Sequence, residues 1–482
     1  MTYVTRILVL LFVGLFMMSA SASADDRLTV SGKIDTRFNF SNNLSLFDRN
    51  YTNAVLGNPA KTGQAGDEDT LSHGITRFNL LFTMEAFENT KAVLNTHVDK
   101  EWGGAGVLFS NAEYAHGAAI GAYGGAATVE GFWLEGLIPG TAATFQIGVA
   151  YPNAEFGGWG ESNKIFNTAA PAITISTPFS DTISTYTWYA WLGQDFDGYY
   201  GRDYEDDDKS EPSGNDWAAG TRWQFGLMEG LAVDLVYAFY FNESGALDDP
   251  GDETGNWIQS KLWYQFGDFR LQPSITLYLA SHDTDGDTES FLLDLRAGYT
   301  VGPLALDGRV VYTPGDSDDG KDRSYDVIGV WGIPQGTQWF NLFGNSAHND
   351  LGPLLLGSTV QANIRHETFG LMHAAAKAAY TLTPQTTLSL ALGLFNTAEE
   401  TSGMPADGEE EGDQLYGATY AGGSHLATEV DAELAYQLLS NTTIYLWAAY
   451  AMTGDALDLM VGGDTYESQD IVGAGARINY TF

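Results

Sequence analysis

Hydrophobic and polar residues exchange at every step over long stretches of the chain. Leu28, Val30, Gly32, Ile34, Thr36, Phe38 and Phe40 fall on one face, and Thr29, Ser31, Lys33, Asp35, Arg37 and Asn39 on the other. The pattern returns where Phe78, Leu80, Phe82, Met84 and Ala86 alternate with Arg77, Asn79, Leu81, Thr83 and Glu85. It returns again with Leu293, Leu295, Ala297 and Tyr299 against Asp294, Arg296 and Gly298, and with Val430, Ala432, Leu434 and Tyr436 against Glu429, Asp431 and Glu433. A period of two is the signature of a β-strand with unlike faces. Charged residues recur in mid-strand on the polar face, so that face meets a solvent of its own. This is the alternation of a transmembrane β-barrel.

Two kinds of connection separate the strands. Short ones lie near Asn89, at Pro139-Gly140, Ser180-Asp181, Glu229-Gly230, Gly267-Asp268, Gly302-Pro303, Pro384-Gln385 and Ser440-Asn441. Long, mostly acidic ones cover 41–73, 103–125, 151–170, 195–215, 243–255, 282–288, 315–365, 398–424 and 454–467. Eight short and nine long connections in strict alternation predict eighteen antiparallel strands, with tight turns at the periplasmic end and long loops outside. The segments 127–138, 171–179 and 182–194 have mixed faces, and losing one pair would leave sixteen.

The first residues read as a targeting segment. Arg6 precedes the apolar run Ile7–Met18, and Ala22-Ser23-Ala24 offers a small-x-small cleavage pattern. The expected organisation is a signal peptide over 1–24 and a single barrel over 25–482. No later stretch reaches the roughly 20 apolar residues of a membrane helix. The last strand alternates Val472, Ala474, Ala476, Ile478, Tyr480 and Phe482 with polar or small residues and stops on Phe482. An amphipathic strand ending in an aromatic resembles the signal read by the bacterial barrel-assembly machinery, which becomes an expected partner.

Composition narrows the chemistry. The 482 residues carry 62 Asp+Glu against 22 Lys+Arg, a formal charge of −40, and no Cys. Disulfides, thiolate metal sites and a Cys nucleophile are excluded, and nucleic acid is a poor partner for such an anion. The sequence contains no G-x-x-x-x-G-K-[ST], G-x-S-x-G or H-E-x-x-H, so no enzyme activity is expected.

The charged residues on polar strand faces are the candidate pore lining. Along the chain they are Lys33, Asp35 and Arg37; Arg77, Glu85 and Asp99; Arg222 and Asp234; and Lys261 and Arg270. They continue with Asp294, Arg296, Asp307 and Arg309; Lys377; Glu429, Asp431 and Glu433; and Arg477. Same-face neighbours such as Asp294/Arg296 and Asp307/Arg309 would either set up fields across a pore or satisfy each other in the wall. His97 and His373 share the polar faces. Trp102, Trp217, Trp257 and Tyr299 near strand ends fit interfacial girdles. In the acidic loops, Asp283, Asp285 and Asp287, and Asp316, Asp318 and Asp322, space carboxylates around a Gly as calcium loops do. Neither completes an EF-hand, so Ca²⁺ or Mg²⁺ is expected there only loosely bound, beside lipid and lipopolysaccharide.

The stretch Val311-Tyr312-Thr313-Pro314-Gly315-Asp316 running to Tyr325-Asp326, followed by His348-Asn349-Asp350-Leu351-Gly352, resembles the alginate-export family of outer-membrane porins. The resemblance implies an eighteen-stranded barrel with inward Arg that carries a polyanion. The inward acids and acidic loops depart from that pattern. The reading of the residues themselves is a water-filled barrel giving passage to small polar or charged solutes. Alternatives are an export conduit for an anionic polysaccharide, or a sheath around a partner such as an electron-transfer cytochrome.

Overall fold

A computed structural model describes residues 28–42, 70–87, 89–103, 125–150, 165, 170–193, 216–243, 252–282, 286–315, 325, 339–342, 370–399, 423–456 and 470–482. The targeting segment lies outside the described residues. Eighteen strands run in chain order. The first nine are β1 (Leu28–Asn42), β2 (Thr70–Phe87), β3 (Thr90–Gly103), β4 (Gly125–Leu137), β5 (Thr144–Ala150), β6 (Ala170–Pro178), β7 (Ile183–Gly193), β8 (Asp216–Met228) and β9 (Leu231–Glu243). The second nine are β10 (Asp252–Phe266), β11 (Phe269–His282), β12 (Gly286–Val301), β13 (Leu304–Thr313), β14 (Leu371–Thr383), β15 (Thr386–Asn396), β16 (His425–Leu439), β17 (Thr442–Thr453) and β18 (Ile471–Thr481). The mixed-faced segments are strands β4, β6 and β7, so the count is eighteen. Among the described residues no helix is long and apolar enough to cross a membrane.

Every strand pairs antiparallel with the next, and β1 pairs with β18 from Lys33↔Thr481 to Asn42↔Val472. The sheet therefore closes and has no free edge. The chain end completes the seam. Gly32 N donates to Phe482 O, and Phe482 N donates to Gly32 O, both at 3.0 Å. The Phe482 ring lies against Phe78 (6.0 Å between centroids) and Tyr480 (5.9 Å). A Cβ at Gly32 would stand 2.6 Å from Phe482 Cζ, so only glycine leaves that ring its seat.

All eight short turns share the end of the barrel that holds Leu28 and Thr481. Five of them, at Asn89, Gly140, Gly230, Gly267 and Gly302, use a residue at positive φ, which most residues resist. Gly230 has φ +76° and packs on the carbonyl of Gln265, where a side chain would be strained and blocked. At the opposite end the alternation in length is broken once. The expected long connection at 282–288 shrinks to 283–285, because β11 and β12 extend almost to meet.

The two faces differ as the alternation requires. On β15, Leu388, Leu390, Leu392 and Leu394 are exposed while Ser389, Ala391, Gly393 and Phe395 are buried. Rows of exposed Leu, Val, Ile and aromatic side chains recur on most strands. Such a surface needs apolar surroundings. The other face turns into the barrel. There one apolar cluster gathers toward the long-connection end, with Trp188, Trp257, Leu292, Leu371, Phe395, Leu426, Trp447 and Ile471. Ile165, Tyr325, Phe340 and Leu342, from two long connections, belong to the same cluster.

Candidate pore lining and a docked loop segment

The inner wall is charged in patches, each built by neighbouring strands. At the seam Asp35 is buried and surrounded by cations. Arg37 Nη2 reaches its carboxylate at 2.9 Å, Arg477 Nε and Nη2 at 2.8 and 2.6 Å, and Lys33 Nζ at 3.3 Å. Arg77 of β2 stands opposite Asp35 in register. The Arg477 guanidinium also lies over the Tyr445 ring at 5.6 Å. This patch holds more positive charge than its carboxylate can neutralise.

A second patch spans β11 to β14. Arg309 grips Asp294 through Nε and Nη2, each at 2.9 Å, and both side chains are buried. Arg270 Nη2 meets Asp307 at 2.9 Å in a more open position. Lys377 is the register partner of Asp307. The ion pairs thus form between strands, Arg309–Asp294 on the diagonal and Arg270–Asp307 straight across Gly298 of β12, and not along one strand as Asp294/Arg296 and Asp307/Arg309 would. Arg296 lies instead under the indole of Trp339, 5.3 Å from its centroid.

A third patch lies on β8 to β10. Asp234 is fully buried and accepts from Trp263 Nε1 at 2.9 Å, opposite Lys261 in register. Lys261 sits over Trp263 and Arg222 over Tyr186, at 5.8 and 5.4 Å. Elsewhere Glu85 is exposed near the short turn, and Asp99 pairs with Arg77 in register. The wall of β4 to β7 is different. Its described inner positions include Gly131, Trp133, Gln146, Ala172, Thr174, Tyr186 and Trp188, with Glu135 the charged one, accepting from Trp133 Nε1 at 3.0 Å.

The acidic wall of β16 carries the feature that periodicity did not announce. Glu429 and Asp431 are buried by Trp339–Leu342, a piece of the connection between β13 and β14 that enters the barrel. Asn341 N donates to Glu429 Oε1 (3.0 Å) and Asp431 Oδ2 (2.8 Å). Leu342 N donates to Glu429 Oε1 (2.8 Å), and Asn341 Nδ2 to Asp431 Oδ2 (2.8 Å). N–H groups of the segment thus converge on two adjacent carboxyl groups, and bonds formed away from water hold it in place. Phe340 packs edge-on against Phe395 (5.4 Å) and His373 (5.9 Å), and His373 stacks on Phe395 at 4.5 Å. Glycines on the wall make the room. A Cβ at Gly393 would be 2.7 Å from Phe340 Cζ, and one at Gly473 would be 3.0 Å from Leu342 Cδ2. Glu433, one step further along β16, is only half-buried.

One expectation changes. Trp257 is not a girdle residue: it is buried inside the barrel against Tyr278, because it shares the parity of Gln259 and Lys261. Trp217 and Tyr299 do lie on the outer face, Trp217 stacking with Tyr189 at 5.8 Å. Of the six acidic loop residues considered for calcium, Asp287 is an exposed member of β12, and Asp283, Asp285, Asp316, Asp318 and Asp322 lie outside the described residues. Among the described residues no cluster of three or more His, Asp or Glu is arranged to hold a metal ion.

No protein-family model matches the sequence, and no curated protein sequence matches it. Solved structures do match, over almost the whole chain. The crystal structure of Pseudomonas aeruginosa OprD aligns with a TM-score of 0.52, covering 96% of this chain and 97% of its own at 12% identity. The chain has the fold of the OprD-type barrels. Pseudomonas aeruginosa OccK9 (OpdG) gives a TM-score of 0.51 at 12% identity, over 94% of this chain and 98% of that one. OccK5 (OpdH) of the same organism gives 0.50 at 10% identity, with the same coverage. At such identities the likeness is one of architecture. These structures lend no support to the resemblance with alginate exporters.

Proposed function

We propose that the chain is an outer-membrane porin that lets small polar or charged solutes pass passively through its lumen. One observation carries the reading: a closed barrel presents apolar rows outward and paired charges inward, and Trp339–Leu342 enters it against the inner wall. An eighteen-stranded barrel is wide enough for an aqueous channel. The architecture shared with OprD-type barrels supports the same reading. The bacterial outer membrane is the location it implies, with 1–24 as the export signal and Phe482 as the strand-end read during assembly. Loosely held Ca²⁺ or Mg²⁺ between the acidic loops and lipopolysaccharide fits that setting.

Reconstitution tests it. The purified chain, folded into planar bilayers, should give discrete conductance steps, and proteoliposomes should swell in small sugars and amino acids. A folded, membrane-inserted barrel with neither response would refute a porin.

A further inference from the structure

Opposing forces act on the cradle that holds Trp339–Leu342. Docking gains the bonds of Asn341 and Leu342 to Glu429 and Asp431, and the burial of Phe340 and Leu342. Against this, it takes two neighbouring carboxylates out of water, Glu429 to 0% and Asp431 to 3% exposure. It also seals His373 in an aromatic box where neither Nδ1 nor Nε2 meets a partner among the described residues, and the same holds for Asp431 Oδ1. Burying polar atoms without partners is costly. Undocking would hydrate all of them at once. An element held by strong bonds and opposed by stranded polar groups is suited to two discrete arrangements.

We propose that Trp339–Leu342 is a releasable latch: docked on the β14–β18 wall it narrows the lumen, and undocked it widens the lumen and changes the charge displayed there. The change of charge follows from what the segment covers. Docked, it hides Glu429 and Asp431 beneath Asn341 and Leu342, and the Trp339 indole lies over Arg296. Released, it uncovers two carboxylates against one guanidinium. The β15 and β17 positions beside those carboxylates, Ala391, Gly393, Ala449 and Ala451, carry no charge to compensate. The wide state should therefore also be the more cation-selective one. A segment that merely fills space would have no reason to couple the two properties.

The inference rests on the porin reading for its readout, and the test separates the two. The chain has no Cys, so the pair Leu342→Cys with Gly473→Cys gives one defined crosslink that leaves both β16 carboxylates in place. Gly393→Ala pushes in the other direction, because its methyl group would take the place of the Phe340 ring edge. Single-channel conductance and reversal potential are recorded for each folded, full-length protein. Wild type should switch between two levels of different selectivity. Oxidation should abolish the wider level and so lower the mean conductance, and reductant should restore both. Gly393→Ala should favour the wider, more cation-selective level. Failure of the pair to crosslink would overturn the latch. So would a crosslinked barrel that conducts and selects like wild type, or a Gly393→Ala barrel that does. A wild-type barrel that never conducts would overturn the porin reading itself and the latch with it.

Discussion

Asp35→Asn should be the most destabilising single change on the inner wall, and its cost can be worked from the seam. Arg37 and Arg477 face each other in register across β1 and β18. Their side chains are 8% and 7% exposed and share the Asp35 carboxylate, itself 1% exposed. Removing one partner of a buried, hydrogen-bonded pair costs about 3–5 kcal/mol, because the charge left behind is out of water. Lys33, 31% exposed on its side chain, adds little, since water screens it. Arg477→Met should cost less, about 1.5–3 kcal/mol, because the carboxylate keeps Arg37 and Lys33. The double substitution should cost less than the two added together, since Arg37 then no longer faces a second buried cation. Urea titration of folding into phospholipid vesicles, followed by Trp fluorescence, measures all three. Asp35→Asn within about 1 kcal/mol of wild type, with additive singles, would mean that lumen water hydrates these groups freely and that the pairing energies invoked here do not apply.

Leu390→Arg, mid-strand on the outer face of β15 and 54% exposed, should cost about 2–4 kcal/mol in the same vesicle assay, while Thr387→Arg, half-buried on the inner face, should cost far less; equal losses would show that the outer face does not meet lipid. Gly32→Val would drive a side chain into Asn79 O and the Phe482 ring, so folding stability should fall by about 1–3 kcal/mol; a wild-type unfolding midpoint would show that the C-terminal ring needs no seat. Replacing Glu409, Glu410 and Glu411, which lie outside the described residues, with Gln should weaken cation preference at low salt without closing the pore. That preference should itself fade as salt rises, over a Debye length of about 10 Å at 0.1 M; anion selectivity at low salt in wild type would reject the idea.

Strands and turns were legible in the sequence because one constraint governs them. Each residue on the outer face must be apolar and each on the inner face can be polar, so a shift of one position would reverse every side chain. That is why β1, β2 and β16 could be read to within a few residues. The same constraint places Trp257: its residue type suits a girdle, its parity the interior, and parity is the stronger constraint. Alternation assigns a face and not a partner. Asp294 has Arg296 two residues away on its own strand yet takes Arg309 from β13, because the diagonal between strands suits a bidentate grip. The docked segment was not legible. Asn341 meets Asp431 across 90 residues of sequence, and Trp-Phe-Asn-Leu has no period and no motif. The signal that was present lay in the wall, where Gly393 and Gly473 occupy inward positions that a strand would otherwise fill.

The distribution of charge ties fold to function. Within the eighteen strands there are 12 Lys and Arg against 18 Asp and Glu; outside them there are 10 against 44. Almost all of the charge of −40 therefore lies in the connections and termini, where water and salt reach it. The strand charges behave differently, because pairs such as Arg309–Asp294 are buried and bulk ions screen them little. If the chain is the porin proposed above, a solute entering from outside meets two fields in series. The first is diffuse, acidic and erased by salt. The second is short-ranged, patterned in opposed patches and indifferent to salt. Salt titration of selectivity separates the two. The part that collapses belongs to the connections, and the part that persists belongs to the wall and to whichever acids Trp339–Leu342 leaves uncovered.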